Sequence, residues 1–260
     1  MALVVLAADK GSPGVTTATL ALAAVWPRAA LVVECDPAGG DLVYRLPGAD
    51  GGPLDPNFGL LSLAASARRA LDPGQVVQHA QTLAGGLDVV VGIARAEQSV
   101  GLAGLWSPLG RAFSLLPETD AFADCGRIGA DSPTLELLPH AAFILLVSRA
   151  TTEQVAHVRD RVAALAGLSQ LGGGGLPPVG VLLVVEPKRH RAAVEQVREL
   201  LQASGLAADV VLPLAHDPAG ADLLAGRRRG RPGKSLLIQS AREVARTVQE
   251  RVVAPYAERR

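Results

Sequence analysis

At 260 residues, 49% of them hydrophobic, the chain is long enough to bury a large core, and residues 1–260 read as a single α/β domain. Lys and Arg balance Asp and Glu at 25 each, so no global basic field argues for nucleic acid or anionic lipid, and any such binding has to be local. No apolar run reaches the roughly 18 residues of a transmembrane helix, LVVLA rather than a basic leader follows Met1, and two cysteines are too few for a disulfide framework. A cytoplasmic protein with reduced Cys35 and Cys125 is the expectation.

The first predicted element is a strand over LVVLA (3–7), followed by ADKGSPGVTT (8–17) and a helix-like TATLALAAVW. A phosphate-binding loop reads GxxxxGK[ST] between a strand and a helix: backbone N–H groups cradle phosphates, the Lys reaches the β/γ-phosphates and the hydroxyl holds Mg²⁺. Laid on residues 9–16, the pattern has Asp9 for its first Gly, Gly14 for its second, Val15 for Lys and Thr16 for the hydroxyl. Two of the four fixed positions depart, so the loop alone fits a tight strand-to-helix turn about as well.

Further apolar runs follow at 30–35, 87–92, 120–125, 141–148, 179–186 and 208–214. Being apolar throughout rather than alternating, they predict strands buried on both faces, hence a doubly wound, mostly parallel sheet sandwiched by helices. Helical periodicity lies between them, at 151–168, at 189–204 before Gly205, and at 240–253. Gly/Pro-rich breaks at 48–59 and 171–178, and a basic one at 226–235, are too short to divide the chain into domains.

Five stretches in order carry a family resemblance: KGSPGVTT (10–17), VVECDPAGGDL (32–42), AFADCG (121–126), the strand and helix of 141–160, and LPLAHDPAGADLLAGR (212–227). Together they resemble the MinD/ParA family of deviant Walker A ATPases, whose loop reads KGGxGKTT. The resemblance implies a P-loop fold that binds ATP and Mg²⁺ and works as a homodimer with a protein partner, as a positioning or partitioning switch. It implies that Lys10, Gly11, Ser12, Pro13, Gly14, Val15, Thr16 and Thr17 surround the phosphates, with Lys10 as the signature lysine that reaches a partner's nucleotide. Asp36 would orient the attacking water, and Thr16, Asp36 and Asp124 would complete the metal site. Glu186 stands where family members often carry an adenine-reading Asn, and Pro213 belongs to the segment that leads to the base.

The missing lysine weighs unequally on binding and on chemistry. Backbone N–H groups at a helix N-terminus do not depend on the side chain at 15, so binding loses one charge-assisted contact worth roughly 1.5–3 kcal/mol. Hydrolysis also loses charge neutralisation in the transition state. Weak binding with little turnover is therefore expected, with Lys10 able to compensate and Asp9 opposing it, by pairing with Lys10 or by repelling the anion.

Arg227, Arg228, Arg229, Arg231 and Lys234 form a cationic run that reads as a solvated loop or as a non-specific DNA contact. The chain ends in VQERVVAPYAERR, and with SAREVARTVQERVV (240–253) assigned to the last core helix no membrane anchor is expected. The five histidines lack ligand-like spacing, with His216 and Asp217 bordering the expected base pocket, and Trp26 and Trp106 read as core or interface. A non-hydrolysing adaptor that binds partners without nucleotide is the alternative function.

Overall fold

The computed structural model describes residues 1–67, 71–171, 175–206 and 208–257. Its eight strands are β1 (Leu3–Ala8), β2 (Ala29–Glu34), β3 (Gln81–Thr82), β4 (Asp88–Val90), β5 (Thr119–Arg127), β6 (Phe143–Arg149), β7 (Val179–Val185) and β8 (Val211–Ala215). They form one sheet in the order β3-β4-β2-β5-β1-β6-β7-β8. Every neighbouring pair is parallel except the short β3, which runs antiparallel to β4 at the edge.

Helices fill the crossovers: α1 (Val15–Ala23), α2 (Leu42–Arg45), α3 (Leu60–Ala67), α4 (Pro73–Val76), α5 (Trp106–Ser114), α6 (Thr152–Leu171), α7 (His190–Ala203), α8 (Pro218–Leu224) and α9 (Leu236–Ala257). The uniformly apolar strands are explained by the two faces they serve. On β1, Leu3, Val5 and Ala7 pack with α3, α5, α6 and α7, while Val4, Leu6 and Ala8 pack with α1 and α9. Of the 171–178 break, residues 172–174 lie outside the described residues; 48–59 is a loop pinned by bridges from Pro47 to Pro53 and from Gly48 to Leu83.

Polar demand inside the sheet is met locally. At the N-terminal edge, fully buried Asp120 accepts the Ala2 N–H at 2.9 Å and Trp26 Nε1 at 2.8 Å, and pairs with Arg28 at 2.5 Å. Trp26 also stands edge-on to Phe122, 4.9 Å between centroids, and Trp106 is buried, so both tryptophans are core residues.

Strand order fixes where a ligand fits. From β1 the chain crosses to β2 on one side, and after β5 it passes β1 again to reach β6 on the other. The change of direction opens a crevice beyond the C-terminal end of β1, where open α/β sheets receive ligands.

Candidate functional site

The loop of residues 9–14 lies at that crevice. It turns through Gly11 at φ 74° and Gly14 at φ 105°, backbone conformations that L side chains rarely adopt. Gly14 is the N-cap of α1 and offers no side-chain cap, so the first-turn N–H groups of Val15, Thr16 and Thr17 remain available to an anion. A side chain at Gly14 would meet no atom within 4 Å, so the loop faces open space.

Residues of the loop divide by exposure. Lys10, Gly11 and Ser12 are exposed, Pro13 is buried, and Thr16 and Thr17 are half-buried. Val15 is 7% exposed and belongs to the apolar cluster with α1 and α9; it adds nothing polar to the crevice.

Asp9 does not pair with Lys10, contrary to one of the sequence expectations. Its carboxylate takes Arg161 of α6 through Nε at 2.7 Å and Nη2 at 2.6 Å, with His157 Nδ1 at 3.9 Å. Gln154, at the start of α6, lies against Gly11, where a side chain would come within 2.7 Å of its amide nitrogen. The loop is thus braced from outside by α6.

Three carboxylates stand at neighbouring strand ends. Asp124, 3% exposed on β5, accepts the Thr16 hydroxyl and the Gly126 N–H at 3.1 Å, and burial pushes it up to about 6 despite those bonds. Asp36, just after β2, accepts the Ala38 N–H at 2.8 Å; burial raises it, partly offset by that bond and by the nearby Arg127. Gly126, at φ 57°, leaves the space that Asp36 occupies.

The third, Glu34, was missed in the sequence. It is 4% exposed, accepts the Asp41 and Leu42 N–H groups at 3.1 Å each and Gly92 N–H at 2.9 Å, and burial pushes it up to about 7. An acid closing an apolar strand was its signal. Cys35 and Cys125 lie side by side and fully buried behind these acids, with the Cys35 thiol pushed up by burial.

A cleft of about 270 Å³ opens beside the loop, with Pro13, Gly14 and Thr17 at one end and Val184, Leu214, Ala215 and His216 at the other. Arg45, Arg149 and Arg227 also line it, and Arg45 lies outside every stretch that carries the sequence resemblance. Asp217 borders the cleft but spends its carboxylate on α8, accepting Gly220 N–H at 2.9 Å, and on Leu237 N–H at 3.3 Å. Glu186 is exposed as the N-cap of the turn at Pro187–Arg189, and Pro213 sits within β8 opposite Leu183; neither is among the residues lining the cleft.

Of the basic run, Arg227 reaches Asp222 at 3.4 Å, while Arg228, Arg229, Arg231 and Lys234 are exposed. Among the described residues no helix is long and apolar enough to cross a membrane, and no three His, Cys, Asp or Glu residues group as a metal cage. The second fact still fits Mg²⁺, which is typically held by one or two carboxylates, waters and substrate phosphates rather than by an all-protein cage. Thr16 and Asp124 beside an open helix N-terminus supply that donor set.

No protein-family profile matches the chain, and no curated protein matches it. Solved structures do. The ParA family ATPase from Chlorobium tepidum TLS superposes with a TM-score of 0.68 at 16% identity, covering 94% of this chain and 97% of that one. The septum site-determining protein MinD from Pyrococcus horikoshii OT3, complexed with Mg-ADP, gives 0.65 at 16% identity over 96% of each chain. Cobyrinic acid a,c-diamide synthase from Mycobacterium smegmatis, with bound ATP analog and magnesium, gives 0.66 at 20% identity over 96% and 94%. These likenesses establish the fold, a mostly parallel sheet between two helix layers that this chain shares with those proteins.

Proposed function

We propose that this chain is a single-domain MinD/ParA-like nucleotide-binding protein, a dimerising positioning or partitioning switch in the cytoplasm, with weak or no ATP hydrolysis. The observation carrying this reading is that the uncapped α1 N-terminus, the Thr16–Asp124 pair and nearby Asp36 stand together beside the cleft that Pro13, Gly14 and Thr17 line, while the lysine position is a buried valine.

Backbone N–H groups of Gly11, Ser12 and Gly14 to Thr17 hold the phosphates, a grip that Val15 leaves in place. Bound Mg²⁺ would neutralise charge on the phosphate oxygens, and Thr16 and Asp124 would hold it. Asp36 orients the attacking water by accepting its hydrogen bond. Lys10, exposed at the loop's outer turn, is free to reach the phosphates of a partner subunit's nucleotide. What is absent is a cation from position 15 on the β/γ oxygens, so turnover suffers more than binding.

Calorimetry with Mg-ATP and Mg-GTP, alongside phosphate release, tests the reading. Saturable heat with slow, Asp36-dependent release supports it; absence of heat with both nucleotides rejects it.

A second reading, a partner-binding adaptor that needs no nucleotide, is favoured by the Asp9–Arg161 brace, which holds the loop without a ligand. Dimerisation unaffected by nucleotide distinguishes it. A protein partner belongs to both readings, and the exposed cations from Arg228 to Lys234 offer non-specific DNA a phosphate-binding loop.

A further inference from the structure

The three arginines that line the cleft are not equivalent. Arg149 is exposed at the end of β6, and Arg227 is engaged with Asp222. Arg45 is different: its side chain is only 21% exposed, its Nη1 donates to Asp41 Oδ1 at 3.1 Å, and its Nε is buried without an acceptor. That Nε has no exposed surface, so a ligand meets the guanidinium at its cleft-facing edge, where the protein supplies one bond, to Asp41, and an anionic oxygen adds a charge-assisted second.

We propose that Arg45 reads the phosphates of the bound nucleotide, taking within one chain the electrostatic role that Val15 cannot. This rests on the nucleotide reading above. A guanidinium is a planar fork whose parallel N–H groups can grip two oxygens of one phosphate, a geometry lysine does not have. Arg45 lines the cleft together with Pro13, Gly14 and Thr17, the residues that open α1.

Its carrier is fixed in place. Glu34 accepts the Asp41 and Leu42 N–H groups and so anchors the start of α2 to the end of β2, two residues before Asp36. The Asp41–Arg45 pair does not account for the site by itself, because Asp41 is 59% exposed and engages Nη1 alone.

Titration of the full chain with Mg-ADP and with adenosine tests the assignment. Arg45→Ala is expected to weaken Mg-ADP about ten- to hundredfold and to leave adenosine unchanged. Arg45→Lys recovers part of the loss, since it restores charge without the fork. If Arg45→Ala does not fold by circular dichroism, Arg45→Gln keeps the length, removes the charge and gives the same comparison. Equal Mg-ADP affinity in wild type and the neutral variant overturns the proposal, as does an equal loss for adenosine. Wild-type protein that binds neither Mg-ADP nor Mg-ATP instead removes the nucleotide reading, and this assignment with it.

Discussion

Gly126 and Asp36 are a pair in which a missing side chain makes a functional one possible. At φ 57°, a methyl group on Gly126 would take the space of the Asp36 carboxylate. Gly126→Ala is therefore expected to lower stability by about 1–3 kcal/mol and to abolish any Asp36-dependent phosphate release, read by chemical denaturation and a release assay. Glu34 predicts a pH effect. Its value is raised from 4.5 to about 7, chiefly by burial, so the folded state holds a proton that the unfolded chain gives up. Its contribution is fully present below about pH 4.5 and is lost as pH rises through about 7, a fall of about 3 kcal/mol in unfolding free energy. Denaturant midpoints across pH 4.5–8 check this, with Glu34→Gln flattening the slope. Asp36 and Asp124 were legible in the sequence because each ends an apolar run within a recognisable motif. Glu34 shows only as an acid closing a strand, its role being set by Gly92, 58 positions away, and Arg45 was not legible at all, because its cleft is assembled from α1, β6 and β8.

Elements show the same division between local and distant signals. The long strands were readable since residues buried on both faces must be apolar throughout, and the change to helical period marks the crossovers. The two-residue β3 was not, because it exists through pairing with β4 rather than through any pattern of its own. Asp9 looked like damage to a phosphate loop, but its partner lies 152 positions away on α6. This brace makes a prediction at its own scale: Arg161→Ala leaves a largely buried carboxylate with only His157 at 3.9 Å and is expected to cost about 2–4 kcal/mol. A double-mutant cycle with Asp9→Ala, read by denaturation, is expected to show strong coupling, and additive losses would show that α6 does not brace the loop.

At the scale of the whole molecule, architecture alone does not choose a reaction, since proteins of this fold include both a septum site-determining protein and a synthase. The switch reading rests on particular residues: an exposed Lys10, a valine at the lysine position and carboxylates that remain in place. It predicts that Mg-ATP shifts the chain from monomer to dimer in light scattering, and that Lys10→Ala prevents the shift. It also predicts DNA retention that falls steeply with salt and weakens when Arg228, Arg229 and Arg231 become alanine. The most direct measurement is a calorimetric titration of the purified chain with Mg-ATP, followed by phosphate release from the same sample. Saturable binding with release near background is the expected result; no binding heat with Mg-ATP or Mg-GTP, or release at a rate typical of an efficient ATPase, would contradict it.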